Sequence, residues 1–497
     1  MRKLQSNPHH REKPGGVWES WPRNFGRTCH LRAPEARGLV VPLGKTGGSA
    51  QDVHRSNLTY APCRFVFCVV QRAPTLEHPP THKEIGMSFT TRRLAALAGA
   101  TLLAALSFSS SVQAQQVLPT ADPKVAPSAD NFYTPPADSF LASVQPGSVI
   151  RYRPLPASAL WTDVKEGWQI MYRSTGQKGQ PVAMVTTFLV PKTASTTGKK
   201  LVSYQSFYDS LTLNCSPSGL TLTGKLFDKT FYKEALAKGY HVNLSDYEGL
   251  QSQWIAALNT GHGVLDSIRA VQGFSKSGLS ASTPVGLFGY SGGGFATMWA
   301  AELAPTYAPE LNIVGVAGGG LPVNPVNVAK KVDGTLFAGA YFGAVVGLSR
   351  AYPEIDVDKY ATDAGKAMVA DVGTRCLGGT ASGQPELLVK YAYKKGASYL
   401  KDPNFLDLPE MQAINAENTM GKRTPKAPVF IWQGTADQLM PIADADTLVS
   451  KYCANGVKLQ YKRITGGDHV LSALQLGNAL DYLVDRFNGK APTTTCK

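Results

Sequence analysis

The sequence predicts an α/β protein in which a mainly parallel sheet is flanked by helices and interrupted by a helical insertion. Strand-like and helical segments alternate from residue 182 to 316 and again from 428 to 487. This alternation is typical of parallel sheets with helices on both faces. Between 322 and 426 the alternation stops, and a stretch of roughly 100 residues is too long for a loop. We therefore expect an inserted helical lid there.

The first 114 residues differ in character from the rest of the chain. Residues 1–86 carry 13 Lys and Arg against 6 Asp and Glu, and they show no sustained helical or strand period. Met87 begins a new pattern, with a basic pair, an apolar run at 94–106, and small residues up to Ala114. This layout predicts a signal peptide at 87–114, cut after Ala114, and hence a secreted or periplasmic protein.

We accordingly expect translation to begin at Met87, so that residues 1–86 are a non-native or disordered extension. The alternative is that the run at 94–106 is an anchor that holds the protein at a membrane.

Charge and cysteine content exclude some classes of protein. The formal net charge is +14, but residues 115–497 contain 35 Lys and Arg against 30 Asp and Glu, which leaves only +5. Nucleic-acid binding therefore loses its main support. Four Cys remain in this part, an even number that predicts two disulfides with three possible pairings. No Cys-x-x-Cys pair occurs, so no zinc site is expected.

The first part of the α/β core is predicted over 115–321. It begins with an extended lead-in at 115–148, which is rich in Pro, Ala and Asp. After it, β-branched and aromatic runs predict strands, and apolar residues at helical spacing predict helices. The strands are 182–190, 200–207, 240–244, 284–288 and 311–316, and the helices are 231–238, 263–274 and 295–303.

The second part of the core is predicted over 427–497, after the insertion at 322–426. The same patterns predict strands at 428–433 and 458–464 and helices at 442–453 and 471–487. Within the insertion, residues 335–348 are small and apolar, TLFAGAYFGAVVGL.

Residues 289–293, GYSGG, match the pattern G-x-S-x-G. The pattern alone is short and common. Here it follows the predicted strand 284–288 and precedes the predicted helix 295–303, which is the strand–turn–helix that a nucleophile elbow requires. Small neighbours are needed because the serine backbone is strained. The alternative is a structural turn whose serine caps a helix. The context favours Ser291 as a nucleophile.

A serine hydroxyl needs a base to accept its proton, and three His remain beyond residue 114. His241 falls inside a predicted strand and His262 at a helix start, where packing or capping explains them. His469 follows the last predicted strand in a loop, after Ser291 in chain order, as this chemistry requires. We therefore predict His469 as the base.

The base needs a carboxylate to orient it. Asp437 follows the strand 428–433 in a Gly-x-x-Asp turn, and the order Ser291, Asp437, His469 favours it over the alternative of a simple turn residue. Asp444 and Asp446 fall on the next helix, and Asp468 adjoins the base too closely to reach the same ring.

An oxyanion hole must complete the site. The backbone N–H of Gly292 supplies one donor. The segment 206–210, after an early strand, is expected to supply the second.

Longer strings resemble the secretory lipase family related to Candida antarctica lipase A, within the α/β-hydrolase superfamily. They are FYTPP (132–136), YQSFYDS (204–210), DYEG (246–249), GYSGG (289–293) and YAPELNIVGVAGGG (307–320), with the surroundings of Asp437 and His469. The resemblance runs from about 131 to 496. It implies an α/β-hydrolase fold, a lid inserted after the strand that follows the nucleophile helix, and the triad Ser291, Asp437 and His469.

The same resemblance implies that Asp209 and Gly292 frame the oxyanion hole. It also implies the disulfides Cys215–Cys376 and Cys453–Cys496. The fungal lipase continues past its last Cys into a C-terminal flap, whereas this sequence ends at Lys497. The resemblance therefore does not extend to lid-and-flap control.

The sequence thus predicts a secreted serine carboxylic ester hydrolase that acts through an acyl-enzyme. Within this class it favours a triacylglycerol lipase. Its expected partner is a lipid or other ester substrate, with transient contact to a lipid interface, and no metal or organic cofactor is expected. The alternatives are an esterase or acyltransferase for short-chain or non-lipid esters, a membrane-anchored hydrolase, or a non-catalytic binding module.

Overall fold

The computed structural model describes residues 116–377 and 386–497. The predicted extension (1–86) and signal peptide (87–114) lie outside these residues. Among the helices that are described, none combines the length and apolar character needed to cross a bilayer.

One sheet of ten strands organises the described part of the chain. The strands are β1 (Gln116–Val117), β2 (Val149–Pro154), β3 (Val164–Thr175), β4 (Pro181–Pro191), β5 (Leu201–Gln205), β6 (His241–Ser245), β7 (Val285–Tyr290), β8 (Ile313–Gly319), β9 (Val429–Gly434) and β10 (Leu459–Ile464). Their order across the sheet is β1-β2-β3-β4-β6-β5-β7-β8-β9-β10.

The sheet is parallel where the site lies and antiparallel at one side. The parallel part runs through six neighbouring strands, β6, β5, β7, β8, β9 and β10. The antiparallel pairs are β2 with β3, β3 with β4, and β4 with β6. Every residue of β5, β7 and β9 is buried. This is the pattern of central parallel strands that are covered on both faces.

Fourteen α-helices lie in the described residues. They are α1 (Asp138–Ser143), α2 (Pro217–Leu222), α3 (Thr230–Ala237), α4 (Ala257–Gly273), α5 (Gly292–Tyr307), α6 (Pro325–Val332), α7 (Ala338–Ala351), α8 (Val357–Tyr360), α9 (Asp363–Val372), α10 (Glu386–Tyr391), α11 (Pro409–Asn418), α12 (Ile442–Ala454), α13 (His469–Ser472) and α14 (Leu476–Phe487).

Helices cover both faces of the sheet and form two apolar cores. On one face α4 and α5 contribute buried side chains such as Ile268 and Trp299. On the other face α3 and α14 contribute Leu236 and Leu480. A parallel sheet buried on both faces places its loops at the carboxyl ends of the strands, where ligands bind in such folds. The predicted α/β-hydrolase fold is confirmed.

Between β8 and β9 the described residues form helices α6 to α11 and add no strand to the sheet. A disulfide joins Cys215, beside the start of α2, to Cys376, which follows α9. A second disulfide joins Cys453 in α12 to Cys496 near the C-terminus.

Several elements differ from the sequence-based expectation. Strands β2 and β3 were not expected, because β2 carries Arg151 and Arg153 and lacks an apolar pattern. Arg153 is nevertheless buried, since its guanidinium pairs with Asp130 at 2.7 Å and donates to Gln169 at 2.7 Å. The expected extended lead-in at 115–148 contains α1 and buries Phe132.

Candidate active site

Ser291 lies in the turn between β7 and α5, with φ +54° and ψ −124°. This combination of backbone angles is energetically unfavourable for any residue that has a Cβ. The backbone is held on both sides, because the Ser291 N–H donates to the Gly319 carbonyl at 2.9 Å and the Phe295 N–H donates to the Ser291 carbonyl at 2.9 Å. The turn therefore presents the hydroxyl at the carboxyl edge of the sheet, with 8% of Ser291 exposed.

Close backbone approach explains the glycines after Ser291. A Cβ at Gly293 would overlap the carbonyl of Gln205, and a Cβ at Gly292 would overlap the carboxyl of Asp209. Only glycine lets the first turn of α5 lie this close to the end of β5.

His469 reaches Ser291 from the loop after β10. Its Nε2 lies 3.0 Å from Ser291 Oγ. The backbone of His469 is fixed twice: its N–H donates to the Gln438 side chain at 2.9 Å, and its carbonyl accepts from the Tyr290 hydroxyl at 2.6 Å. These two bonds, one to the loop after β9 and one to the end of β7, hold the imidazole at hydrogen-bond distance from the Ser291 hydroxyl.

Asp437 lies on the other side of the imidazole. Its Oδ2 is 2.8 Å from His469 Nδ1 and also accepts from the Gln433 amide at 2.8 Å. Its Oδ1 accepts the backbone N–H groups of Leu439 and Met440 at 2.9 and 2.8 Å. A carboxylate held by these contacts favours the tautomer with a proton on Nδ1, which leaves Nε2 free to accept a proton from Ser291.

The other histidines lie elsewhere. His241 stacks on Phe188 and His262 stacks on Tyr307. Burial lowers the pKa of both to about 4, so both are neutral imidazoles packed in the core.

The competing acids have other contacts. Asp468 caps α13 by accepting the Leu471 N–H. Asp444 accepts from Asn327, and Asp446 accepts from Tyr461. Of the sequence-predicted residues, the structure brings together Ser291, Asp437 and His469.

The two residues predicted to frame the oxyanion hole, Asp209 and Gly292, contact each other beside Ser291. Gly292 is the first residue of α5, so its N–H has no partner within the helix. Asp209 has φ +37° and is 3% exposed. The segment around it is held against the insertion, because the Leu377 N–H donates to the Asp209 carbonyl at 3.3 Å and Ser210 forms a bridge with Cys376.

Arg350 of α7 adds to this attachment. Its guanidinium donates to the carbonyls of Leu211 (2.8 Å), Gln251 (3.1 Å), Ser252 (3.4 Å) and Gly373 (3.3 Å).

A narrow apolar cavity of about 50 Å³ opens beside Ser291. A second cavity of about 50 Å³ lies between helices of the insertion. Both are lined by Pro325, Ala329, Tyr341 and Ala344. These four residues lie on α6 and α7, so the two cavities adjoin each other there.

Sequence reasoning missed several residues of this site. Trp254 and Ile255 line the cavity from the loop before α4, and no motif marks them. Ile255 has φ +65°, which a sequence pattern does not reveal. Glu248 lies within the string DYEG, and its buried carboxyl accepts the Ser210 N–H at 3.2 Å, a contact that the string does not reveal. Across the described residues, no group of three His, Cys, Asp or Glu side chains is arranged to hold a metal ion.

The chain is similar to known lipases over most of the described residues. A family model described as secretory lipase matches residues 217–495. A probable inactive lipase of Mycobacterium tuberculosis is 34% identical over 364 residues, 70% of this chain and 80% of that protein. The secreted triacylglycerol lipase LIP1 of Malassezia furfur is 33% identical over 376 residues, 71% of this chain and 75% of that protein.

Among solved structures, Candida antarctica lipase A in its closed state aligns with a TM-score of 0.70 and 30% identity, over 75% of this chain and 89% of that one. The fold, the identity and the extent of the match agree. The chain belongs to the secretory lipase family and is a carboxylic ester hydrolase of the lipase type.

Proposed function

We propose that Ser291, His469 and Asp437 hydrolyse esters through an acyl-enzyme. The observation that carries this is the pair of distances, 3.0 Å from His469 Nε2 to Ser291 Oγ and 2.8 Å from His469 Nδ1 to Asp437 Oδ2. Ser291 Oγ bonds to the ester carbonyl carbon while its proton passes to His469 Nε2. That proton then leaves with the alcohol as the carbon–oxygen bond breaks. A water deprotonated by His469 next attacks the acyl group and releases the acid.

The N–H groups of Gly292 and Asp209 stabilise the negative oxygen of the tetrahedral intermediate. The support is the contact between Asp209 and Gly292 beside Ser291, and the position of Gly292 at the start of α5, where its N–H has no partner within the helix. Removal of one such donor costs about 10²- to 10³-fold in kcat in serine hydrolases.

The substrate is a long-chain carboxylic ester such as a triacylglycerol. The apolar cavity beside Ser291 and the adjoining cavity between α6 and α7 suit an extended acyl chain. The insertion at 322–426 would then act as a lid that supplies the acyl site.

A matched pair of experiments tests this assignment. Ser291→Ala should abolish hydrolysis and labelling by a fluorophosphonate probe, while Ser472→Ala, a buried serine near the site, should keep both. Retained hydrolysis in Ser291→Ala would refute the nucleophile, and a non-catalytic role would then be favoured.

The preferred length of the acyl group distinguishes a lipase from an esterase. The narrowness of the two cavities, about 50 Å³ each, favours as second candidate an esterase for short acyl groups. Rates on p-nitrophenyl esters of increasing acyl length distinguish the two. A maximum at long chains supports the lipase, and activity confined to the shortest esters supports the esterase.

Contact with a lipid interface is proposed through the turn that follows His469. Val470, Leu471 and Leu474 are 63%, 61% and 69% exposed, and they share one side of a helical turn. Serine at all three positions should weaken binding to emulsified ester while leaving kcat on a soluble short ester unchanged. Equal adsorption of the triple variant and the parent would contradict this.

Secretion through a signal peptide at 87–114 is the remaining proposal. The two disulfides and membership of a secretory family support an oxidising destination. Mass spectrometry of the exported protein should find Gln115 as its first residue. An intact N-terminus would support the membrane anchor instead.

A further inference from the structure

A cavity of about 500 Å³ lies outside the proposed active site. It is ten times as large as the cavity of about 50 Å³ beside Ser291, and the two share no lining residue. Its volume falls within the range of small-molecule binding sites. The proposed triad and acyl site use none of the side chains that line it.

Three segments of the chain enclose this larger cavity. They are the residues at 133–141, which include the start of α1, the residues at 180–184, where β4 begins, and the loop at 248–253 before α4. One part of the lining is apolar and consists of Leu141, Val182, Met184, Leu213 and Leu250. This part suits the hydrocarbon portion of a ligand.

Two amide side chains line the cavity at buried positions, Gln253 and Asn259, which are 5% and 2% exposed. Gln253 Nε2 donates to the Arg350 carbonyl at 2.9 Å and to Gln251 Oε1 at 3.1 Å. Asn259 Nδ2 donates to the carbonyls of Tyr247 and Glu248 at 3.4 and 3.3 Å. These contacts fix the orientation of both amides, because each nitrogen must face the acceptors.

The amide oxygens of the same two residues are left over. Within the described residues, neither Gln253 Oε1 nor Asn259 Oδ1 accepts a hydrogen bond. The two side chains lie close together, since the Glu248 carbonyl accepts both the Gln253 N–H, at 2.8 Å, and Asn259 Nδ2. Buried polar atoms normally have partners, so this pair of acceptors marks a position for a group that donates hydrogen bonds.

The charged side chains of the lining are of one sign. Asp138 and Glu248 are acids, and no Lys, Arg or His is among the described residues that line the cavity. Asp138 is exposed, whereas the Glu248 carboxyl is buried and accepts the Ser210 N–H. Arg350 donates to main-chain carbonyls of the 248–253 loop without joining the lining. The cavity therefore favours a cation over an anion.

An ammonium group matches these features better than other polar groups. It carries three N–H donors and no acceptor, so it can donate to Gln253 Oε1 and Asn259 Oδ1 without requiring a donor in return. A hydroxyl group brings an acceptor oxygen that needs its own donor and has no charge to pair with Asp138. A carboxylate meets two acids and no cation.

We propose that this cavity is a binding site for a small aliphatic ammonium ion. The ammonium group donates to Gln253 Oε1 and Asn259 Oδ1, the alkyl body lies against the apolar part of the lining, and Asp138 supplies the opposite charge at the exposed edge. Binding here requires no ester chemistry, so the proposal does not depend on the acyl-enzyme mechanism.

Calorimetric titration with hexylammonium at neutral pH tests the proposal. The parent protein should bind one equivalent with a dissociation constant of about 1 mM or lower, which corresponds to about 4 kcal/mol. Hexanoate should not bind, and 1-hexanol, which has the same chain, should bind at least about tenfold more weakly because hydrogen bonds to charged groups are the stronger ones. Equal affinity for hexylammonium and 1-hexanol would overturn the proposal.

The cavity beside Ser291 is the competing location for a hexyl chain. Titration is therefore repeated on Ser291→Ala and on parent protein whose Ser291 carries an alkyl phosphonate from a fluorophosphonate probe. Both should bind hexylammonium as the unmodified parent does. Loss of binding in the phosphonylated protein would place the ligand beside Ser291 and refute the second site.

A variant that fills the cavity locates the ligand directly. Val182 is half-buried in β4 and lines the cavity, so Val182→Trp should weaken binding by about tenfold or more, as expected for a filled apolar pocket. Val190→Trp is the matched control, because Val190 lies on the same strand, is also half-buried and is not part of the lining. Full affinity in a folded Val182→Trp would contradict the proposal.

Two further variants test the polar contacts. Gln253→Met keeps the shape of the side chain but removes its oxygen, so affinity should fall by about tenfold. Asp138→Asn should reduce affinity roughly three- to fivefold, since an exposed ion pair contributes up to about 1 kcal/mol.

Asp363→Asn is the control for Asp138→Asn. Each of the two acids is exposed and is the first residue of a helix, and Asp363 lies outside the lining. Thermal unfolding shows whether each variant is folded. Asp138 is exposed, so its variant serves if the substitutions at buried positions do not fold. Parent affinity in Asp138→Asn would exclude the proposed pairing with the cation.

Discussion

The hydroxyl of Tyr290 donates a 2.6 Å hydrogen bond to the carbonyl oxygen of His469. Tyr290 directly precedes Ser291, so the same strand end that carries the serine also holds the backbone of the histidine. The tyrosine ring lies 5.1 Å from the imidazole. The distance between Ser291 and His469 is therefore fixed partly by a residue that belongs to neither the proposed triad nor the proposed oxyanion hole.

Tyr290→Phe should lower kcat by about fivefold with little change in KM, because one hydrogen bond worth about 1 kcal/mol no longer fixes the histidine. Steady-state kinetics on a soluble ester measure both constants. Tyr482→Phe is the control, since the buried Tyr482 hydroxyl has no hydrogen-bond partner within the described residues. Equal kcat in Tyr290→Phe and the parent would argue against a positioning role.

Removal of the Cys215–Cys376 disulfide by serine at both positions should reduce both stability and activity. The cystine closes a separation of 161 residues, and loops of this size contribute roughly 4 to 5 kcal/mol in the chain-entropy account. It also fixes the segment of Asp209, so kcat should fall as well. Unfolding by denaturant and kinetics on a soluble ester measure the two effects.

The Cys453–Cys496 disulfide provides the comparison. It joins α12 to the C-terminus across 43 residues, away from Ser291. Its removal should lower stability while kcat, measured well below the unfolding midpoint, stays at the parent value. If both pairs changed kcat alike, the first disulfide would have no special relation to the site.

Ala344→Phe should restrict the enzyme to short acyl groups. Ala344 lines both the cavity beside Ser291 and the adjoining cavity between α6 and α7, so a phenyl ring there would fill the space proposed for an extended acyl chain. The ratio of rates on long and short p-nitrophenyl esters should fall by about tenfold or more, since chain discrimination in apolar pockets is worth 1–3 kcal/mol. Ala344→Ser, which adds little volume, should preserve the ratio.

Acid should destabilise the protein partly through His262. Burial lowers the pKa of this imidazole to about 4, whereas an unfolded His titrates near 6.5. The folded state thus binds fewer protons between these values, so stability is fully present above about pH 6.5 and declines as the pH falls towards about 4. The loss from this residue is up to about 3 kcal/mol.

His262→Gln should weaken that decline, because glutamine is neutral at every pH and its amide can replace the contact from His262 Nδ1 to the Thr175 carbonyl, which is 3.2 Å. Denaturant unfolding at several pH values checks this. A slope as steep as the parent's would show that other groups cause the acid sensitivity. His241→Gln tests the second buried imidazole in the same way.

The central strands and the positions of the three site residues could be predicted because their signals are local. Apolar runs mark β7 and β9, and Ser291 follows β7 within a glycine-rich turn. The Arg153–Asp130 pair could not be foreseen, since it buries charges that a sequence pattern assigns to the surface. Trp254 and Glu248 reach the site through a loop whose path depends on packing against α7.

The helix expected at 471–487 is also only partly correct, because the segment forms two helices. Asp468 accepts the Leu471 N–H and starts α13 at His469, and α14 begins only at Leu476. The cap is visible in the sequence, but the interruption between the two helices is not.

Arg350 gives the insertion a fixed end. Its guanidinium holds carbonyls of the Asp209 segment, of the loop before α4, and of Gly373 after α9. Lifting the C-terminal end of α7 away from the core would break all of these bonds at once and pull on the oxyanion segment. A displacement of α7 that keeps these bonds must leave its C-terminal end in place, so only the N-terminal end of the helix is free of this restraint.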